Sequence, residues 1–296
     1  MKELYAKLLD AGIEALEQEP LSRHTSFRIG GPAEVMAFPK SIDQLRTVLS
    51  MAKPTVILGA GTNVLAPDAG LPGLCICTRD CLCQMERLED NQIRVMSGVL
   101  MSRCATFARD EALTGMEFAH GIPGTIGGGI YMNAGAYGGE LCQIAEKTVT
   151  MTMDGTLKMY VGQEQGFGYR KSTFMDKEEI IIETILQLQP GNQEEISARM
   201  QELSAKRRAS QPLELPSGGS AFKRPVGGYA AALIEQSGLK GQGVGGVQVS
   251  TKHAGFLVNV GGATCADVLA TIAMVQKRVL ECTGIALEPE LRVLGQ

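Results

Sequence analysis

The residues from Gly121 to Gly139, GIPGTIGGGIYMNAGAYGG, have the composition of a site that holds an anion through its backbone. Eight of these nineteen residues are glycine, and no Asp, Glu, Lys or Arg occurs between Glu117 and Glu140. Glycine loses the most backbone entropy on ordering, so the run predicts neither a good helix nor a good strand. In return it allows positive φ and close approach, so that bare N–H groups can surround a phosphate. The pattern fits a set of tight turns. Its sharper reading is a backbone cradle for a phosphate-bearing cofactor, with Gly121, Pro123, Gly124, Gly127, Gly128, Asn133 and Gly135 around it. The glycines and polar residues exclude a membrane span.

A second glycine turn, GAGTNVL at 59–65, follows the apolar run TVIL. It invites a dinucleotide fingerprint, with Asp80 at a suitable distance downstream. Val64 occupies the third glycine position, however, and Pro67-Asp68-Ala69-Gly70 leaves no room for the helix that must follow. An ordinary Rossmann phosphate site is therefore not expected. Gly59, Ala60, Gly61, Thr62 and Asn63 still offer backbone donors and two polar side chains. Two separated glycine loops gripping one pyrophosphate suit a large dinucleotide better than a mononucleotide.

Cys75, Cys77, Cys81 and Cys83 form a C-x-C-x3-C-x-C cluster. Metal sites usually take C-x2-C pairs, whereas C-x-C puts both thiols on one face of a strand. The expectation is small buried side chains and no metal, with the remaining cysteines free thiols.

The elements that must position these residues follow from periodicity. Leu4, Leu8, Leu9, Ile13 and Leu16 predict an amphipathic helix spanning the first twenty residues, not a signal peptide. Ser41 and Gln44, at capping-box spacing, open a helix with Leu45, Val48 and Leu49 on its core face. Strands are expected at 55–58, 74–78 and 92–97, and a helix from Ser102 to Leu113. Asp154-Gly155 turns a hairpin. Asn192 caps a helix with Ile196, Met200 and Leu203 inward, ending in Lys206, Arg207 and Arg208. The last helix carries Val268, Ile272, Val275 and Val279. Strands and helices alternate in both halves, as in α/β or α+β folds. At 296 residues and 44% hydrophobic the chain suggests two domains. A net charge of -4 argues against nucleic-acid binding, and no span of apolar residues suits a membrane, so the chain reads as soluble and cytoplasmic.

Several motifs, in order, resemble the UDP-N-acetylenolpyruvoylglucosamine reductase family: TSFRIGG, LGAGTN, GIPGTIGGGIYMNAGAYGGE, GYRKSTF, QPLELPSGGSAFKRP and LEPELRVLG. The resemblance covers nearly the whole chain. It implies an α+β protein with a two-lobed, FAD-binding domain of the vanillyl-alcohol-oxidase (PCMH) type at 1–196, with lobes 1–53 and 54–196. A C-terminal substrate-binding domain then occupies 197–296. The direct run from Arg208 to Ser220 looks like the shorter, type II subgroup.

The family's activity, which makes UDP-N-acetylmuramate for peptidoglycan, implies FAD as cofactor, NADPH as hydride donor and an enolpyruvyl nucleotide sugar as substrate, with a monomer expected. By resemblance Arg170 faces the substrate carboxylate, since a planar guanidinium suits that group. Ser220 is the proton donor and Glu290 the third catalytic residue. Read without the family, these are a surface ion pair, a Gly-Ser turn and a glutamate bridged to Arg292. Arg207, Arg208, Lys223 and Arg224 are the cations implied for the UDP diphosphate. For the run Lys206 to Arg208, a basic helix end complementing the macrodipole is the alternative. Many longer members have lysine at Gln211 and asparagine at Arg224, and Thr62 replaces a commoner serine. Another flavoprotein of this fold, or a nucleotide-sugar-binding protein without catalysis, are the competing readings.

Overall fold

The computed structural model describes residues 1–295 and divides the chain into two compact units. One contains Met1–Glu17, Val35–Ala60 and Leu74–Arg207; the other contains Gln18–Glu34, Gly61–Gly73 and the chain from Arg208 onward. Both units are discontinuous, where the sequence reading has a single cut after residue 196. Compact packing thus divides the chain at other points than that boundary.

The chain begins with α1 (Lys2–Asp10), β1 (Glu14–Pro20), β2 (Pro32–Phe38), α2 (Ile42–Met51) and β3 (Val56–Leu58). Next come β4 (Val64–Leu65), β5 (Leu71–Cys77), β6 (Met85–Arg87), β7 (Gln92–Met96), α3 (Met101–Asp110) and β8 (Leu113–Thr114). Helix α4 (Ile126–Met132) precedes β9 (Gly135–Ala136), β10 (Gly139–Glu140), β11 (Ala145–Thr152), β12 (Leu157–Val161) and β13 (Glu179–Gln187). Then follow β14 (Gln189–Pro190), α5 (Gln193–Ser210), β15 (Ser217–Ser220), α6 (Ala230–Gln236) and β16 (Gly243–Val244). The chain closes with β17 (Val247–Val249), β18 (Phe256–Asn259), α7 (Cys265–Thr283) and β19 (Arg292–Val293).

The first helix stops at Asp10, a correction to the long helix expected. Ala11 N–H returns to Lys7 O and Gly12 takes φ +70°, a left-handed stop that frees residues 14–20 to form a strand. Ile13 is buried all the same, while Leu16 is exposed. In α2, Ser41 accepts from the Gln44 amide as predicted, but the Gln44 side chain bonds the Lys40 amide instead of Ser41.

In the first unit an antiparallel sheet of order β12-β11-β13-β7-β6 backs the glycine segment. Ile93, Val95, Ile181 and Leu186 from this sheet share a core with Cys104 and Ala105 of α3 and Ile126 and Ile130 of α4. A second core joins Leu8, Leu45 and Val48 to Val35, Leu74 and Ile76. Cys75 and Cys77, also on β5, are buried, and burial pushes both thiols up to about 11. They stay protonated near neutral pH, as small core residues do.

The second unit is built on an antiparallel sheet of order β15-β18-β17-β16 under α6 and α7. Val268, Ile272, Val275 and Val279 of α7 point inward, each contributing about 1.5–3 kcal/mol by its burial. Phe27, Ile29 and Leu65 complete this core from earlier in the chain, and β19 pairs in parallel with β4. Thr264 and Asp267 form a capping box at the start of α7, and Asp68 accepts from the Cys265 and Ala266 amides at 2.7 and 3.1 Å. No helix among the described residues is long and apolar enough to cross a membrane.

Candidate functional site

Within the glycine segment the structure corrects the sequence reading, because residues 126–132 are helical. Thr125 caps α4 with its hydroxyl on Gly128 N–H, while Ile126 and Gly127 N–H reach Val99 O and Ser97 O at 2.8 and 2.9 Å. Packing sets the composition. A Cβ on Gly127 would sit 2.7 Å from Ser97 Cβ, and one on Gly129 would sit 2.7 Å from Leu141 Cδ1 and 2.9 Å from Met101 Sδ. Glycine costs a helix about 1 kcal/mol per residue relative to alanine. Here the core contacts of Ile126 and Ile130 outweigh that cost. The amides of Gly127 and Gly128 are therefore engaged within the protein. Gly128 keeps a clear face, its nearest obstacle being Thr125 Oγ1 at 3.5 Å. The N–H groups of Gly121, Gly124 and Thr125 have no acceptor among the described residues.

Asn133 ends α4 in the left-handed conformation, φ 43° and ψ 60°. Its buried amide donates to Glu140 Oε2 and to Gly168 O, each at 3.0 Å, and accepts from Cys142 N–H at 2.9 Å. Its side chain thus points into the protein and is saturated there. Gly135 pairs with Glu140 across β9 and β10, and its carbonyl accepts from Arg170 Nη2 at 3.3 Å. Arg170 sits on a tight reversal in which Gly168 and Lys171 exchange backbone bonds of 2.9 and 3.1 Å. Its φ is +53°, a conformation costing a residue with a Cβ about 1–2 kcal/mol, and its guanidinium lies 5.2 Å from the Tyr169 ring centroid. Backbone strain of this kind gathers where a side chain has to be aimed.

The two glycine stretches meet at Gly59, where a Cβ would come 2.5 Å from Thr125 Oγ1. Gly61 has φ +61° and lies so close to the His24 carbonyl that a Cβ would strike it. No helix follows this turn: β4 does, as the Pro67–Gly70 sequence requires. The amides of Gly59, Ala60, Gly61 and Asn63 find no acceptor among the described residues. This run of bare donors suits the oxygens of a diphosphate, and the residues present fit a dinucleotide cofactor.

In the second unit Asn63 also braces the segment that carries Glu290. Its carbonyl accepts from Arg292 N–H at 3.1 Å, and its Nδ2 donates to Glu290 O at 3.4 Å. Glu290 N–H in turn donates to Ala221 O at 2.8 Å, which brings Glu290 beside Ser220. Ser217 faces Val258 and Ser220 faces Phe256, so β15 carries an extra residue, a bulge with Gly219 at φ +82°. Such a bulge turns the side chain that follows it, and Ser220 is exposed. The bulge and the bracing by Asn63 both escaped the sequence reading, although a Gly-Gly pair inside a strand is a signal for the first.

The predicted cations separate. Arg207 belongs to the first unit and packs its Cδ 3.2 Å from where a Gly121 Cβ would be; burial lowers its pKa. Arg208 is exposed in the second unit, its carbonyl held by Lys252 Nζ at 2.7 Å. Lys223 is ion-paired with Glu288, and Arg224 stacks 4.0 Å over the Tyr229 ring. His253 accepts from Gly255 N–H at 3.2 Å, and burial lowers its pKa.

Residues 33–159 match the family model for an FAD binding domain, and residues 211–294 match the UDP-N-acetylenolpyruvoylglucosamine reductase C-terminal domain. A reticuline-bound berberine bridge enzyme variant shares the fold, with TM-score 0.50 and 12% identity over 65% of this chain and 44% of that one. These features define a flavin-dependent oxidoreductase of the vanillyl-alcohol-oxidase (PCMH) type, α+β with a second, C-terminal domain. A UDP-N-acetylenolpyruvoylglucosamine reductase from Limosilactobacillus reuteri subsp. reuteri is 43% identical over 290 residues, 96% of each chain. One from Caldanaerobacter subterraneus subsp. tengcongensis is 44% identical over 94% of this chain and 93% of its own. The crystal structure of the Thermus caldophilus reductase superposes with TM-score 0.79 at 33% identity, covering 95% of this chain and 98% of that one. The chain belongs to the UDP-N-acetylenolpyruvoylglucosamine reductase family.

Proposed function

We propose that this protein reduces the enolpyruvyl ether of UDP-N-acetylenolpyruvoylglucosamine to UDP-N-acetylmuramate, a step of peptidoglycan synthesis, with NADPH as donor. The observation that carries the reading is the Glu290 N–H bond to Ala221 O, which holds the second and third catalytic candidates side by side in a chain of this family. FAD bound there would supply the hydride, drawn from NADPH, that the β-carbon of the substrate double bond receives. The amides of Gly59, Ala60, Gly121, Gly124 and Thr125 would hold its diphosphate.

Hydride addition pushes negative charge onto a carboxylate that is already anionic, so a cation must face it. Arg170 takes that role through the bidentate geometry of its guanidinium. Ser220 gives its hydroxyl proton to the α-carbon. A serine is a weak acid, and this transfer works because the carbanionic carbon is a strong base and the donor is already in place. Glu290 works in its protonated form or through a water, because an ionised carboxylate there would oppose the growing charge. Arg208, Lys223 and Arg224 serve the UDP diphosphate, and Arg207 is a further candidate at Gly121. A cytoplasmic monomer goes with this reading.

The test is anaerobic. NADPH should bleach the flavin absorbance, and the enolpyruvyl nucleotide should restore it where simple alcohols and saturated nucleotide sugars do not. A purified protein that takes up no flavin on reconstitution would overturn the assignment.

A further inference from the structure

Arg170 can act on a carboxylate only if the reversal that carries it is held from outside, because two backbone bonds over four residues do not fix a strained φ by themselves. The residue best placed to hold it is Asn133. Every polar atom of its side-chain amide is engaged, with Nδ2 on Glu140 Oε2 and Gly168 O and Oδ1 on Cys142 N–H. Two acceptors on one side and a donor on the other fix the orientation of the amide without ambiguity. Asn133 is 1% exposed and has no donor left for a phosphate. The other arm of the reversal is pinned by Ser172 Oγ on Tyr131 O at 2.7 Å, and Arg170 itself touches Gly135 O. These bonds tie residues 168–172 to the C-terminal end of α4 and the strand after it.

We propose that Asn133 is a positioning residue for Arg170, clamping the 168–171 reversal onto the end of α4 with Glu140 and Ser172 in support, and that it makes no contact with the cofactor. This rests on the reading that Arg170 faces the substrate carboxylate. Cutting these buried bonds leaves the Glu140 carboxylate and the Gly168 carbonyl short of a donor. The consequence should be a loosened reversal rather than a lost cofactor.

The experiment uses the flavin-loaded enzyme with Asn133→Ala, alone and combined with Arg170→Ala. In the single variant, flavin reoxidation by the enolpyruvyl substrate should slow at least tenfold, in kcat rather than KM. Reduction by NADPH and flavin retention should stay within twofold of the parent. In the Arg170→Ala background the Asn133 change should add less than twofold, since both act through one group. Backbone amides at Gly168 and Lys171 should exchange with solvent at least tenfold faster. Weakened flavin retention, an effect that multiplies with Arg170→Ala, or unchanged exchange would each overturn the proposal. If Asn133→Ala does not fold, Ser172→Ala removes one pin alone and should give the same pattern at roughly threefold, its absence counting against the clamp. An Arg170→Ala enzyme with unaltered reoxidation would instead overturn the function reading, while the exchange data still decide the clamp.

Discussion

In α4 two of the three glycines stand where neighbours leave no space: Gly127 against Ser97, Gly129 against Leu141 and Met101. In the turn at 59–63 the glycines are crowded as well, Gly59 by Thr125 and Gly61 by the His24 carbonyl, but there the amides of Gly59, Ala60 and Gly61 are also left unbonded among the described residues. The catalytic candidates divide along similar lines. Arg170 is held by side-chain bonds from Asn133 and Ser172, whereas Ser220 and Glu290 are held by backbone pairing around a bulge. A glycine count therefore says that a stretch is special without saying whether sterics or bare donors make it so.

The largest effect should come from the backbone-held side. Ser220→Ala should keep FAD reduction by NADPH and slow reoxidation by the enolpyruvyl substrate by about 10²–10⁴, the span of a lost general acid. Equal slowing of both half-reactions would remove Ser220 as proton donor. Arg170→Ala should cost about 10²–10³ in the same reoxidation step, as for a lost charge-stabilising donor. Stopped-flow absorbance of the flavin reads both.

The steric half of the comparison is tested by a pair of alanines inside one helix. Gly129→Ala should destabilise by about 1–3 kcal/mol through overpacking against Leu141 and Met101. Gly128→Ala meets Thr125 Oγ1 at 3.5 Å, so it should cost no stability and gain up to about 1 kcal/mol of helix propensity. Denaturant melts decide this. If Gly128→Ala also weakens flavin retention, the clear face of α4 lies against the cofactor.

The smallest effect concerns pH. Burial lowers the His253 pKa below its unfolded value of about 6.5, and the Gly255 N–H on Nδ1 needs a neutral ring. The unfolded chain then binds the proton first. Stability from this group is intact above about pH 6.5 and is lost as pH falls through the folded value. His253→Gln should flatten that decline in Tm, and an unchanged slope would assign it elsewhere.

Much of the scaffold was legible because it is local. Ser41 capping α2, Asn192 opening α5, the Asp154-Gly155 hairpin and the inward face of α7 each follow from residues a few positions apart. What failed was decided by distant partners. Propensity could not foresee α4, because Gly127 and Gly129 are compelled by Ser97, Met101 and Leu141. The helical spacing through Ile13 and Leu16 was overruled by the left-handed Gly12 and by sheet pairing. At the site, the glycine turn and the Arg170, Ser220 and Glu290 motifs were visible. The bonds of the Asn133 side chain were not, since its partners at 140, 142 and 168 are separated from it in sequence.

The carboxylate of Asp68 at the head of α7 has a consequence for how this chain can be cut. A fragment beginning near residue 197 would lack that carboxylate, and with it Phe27, Ile29 and Leu65, which sit in the midst of the C-terminal core. Recombination that swaps the last hundred residues between relatives would thus exchange a shell without its filling. Crossover points that respect the fold must carry the stretches 18–34 and 61–73 along with the tail.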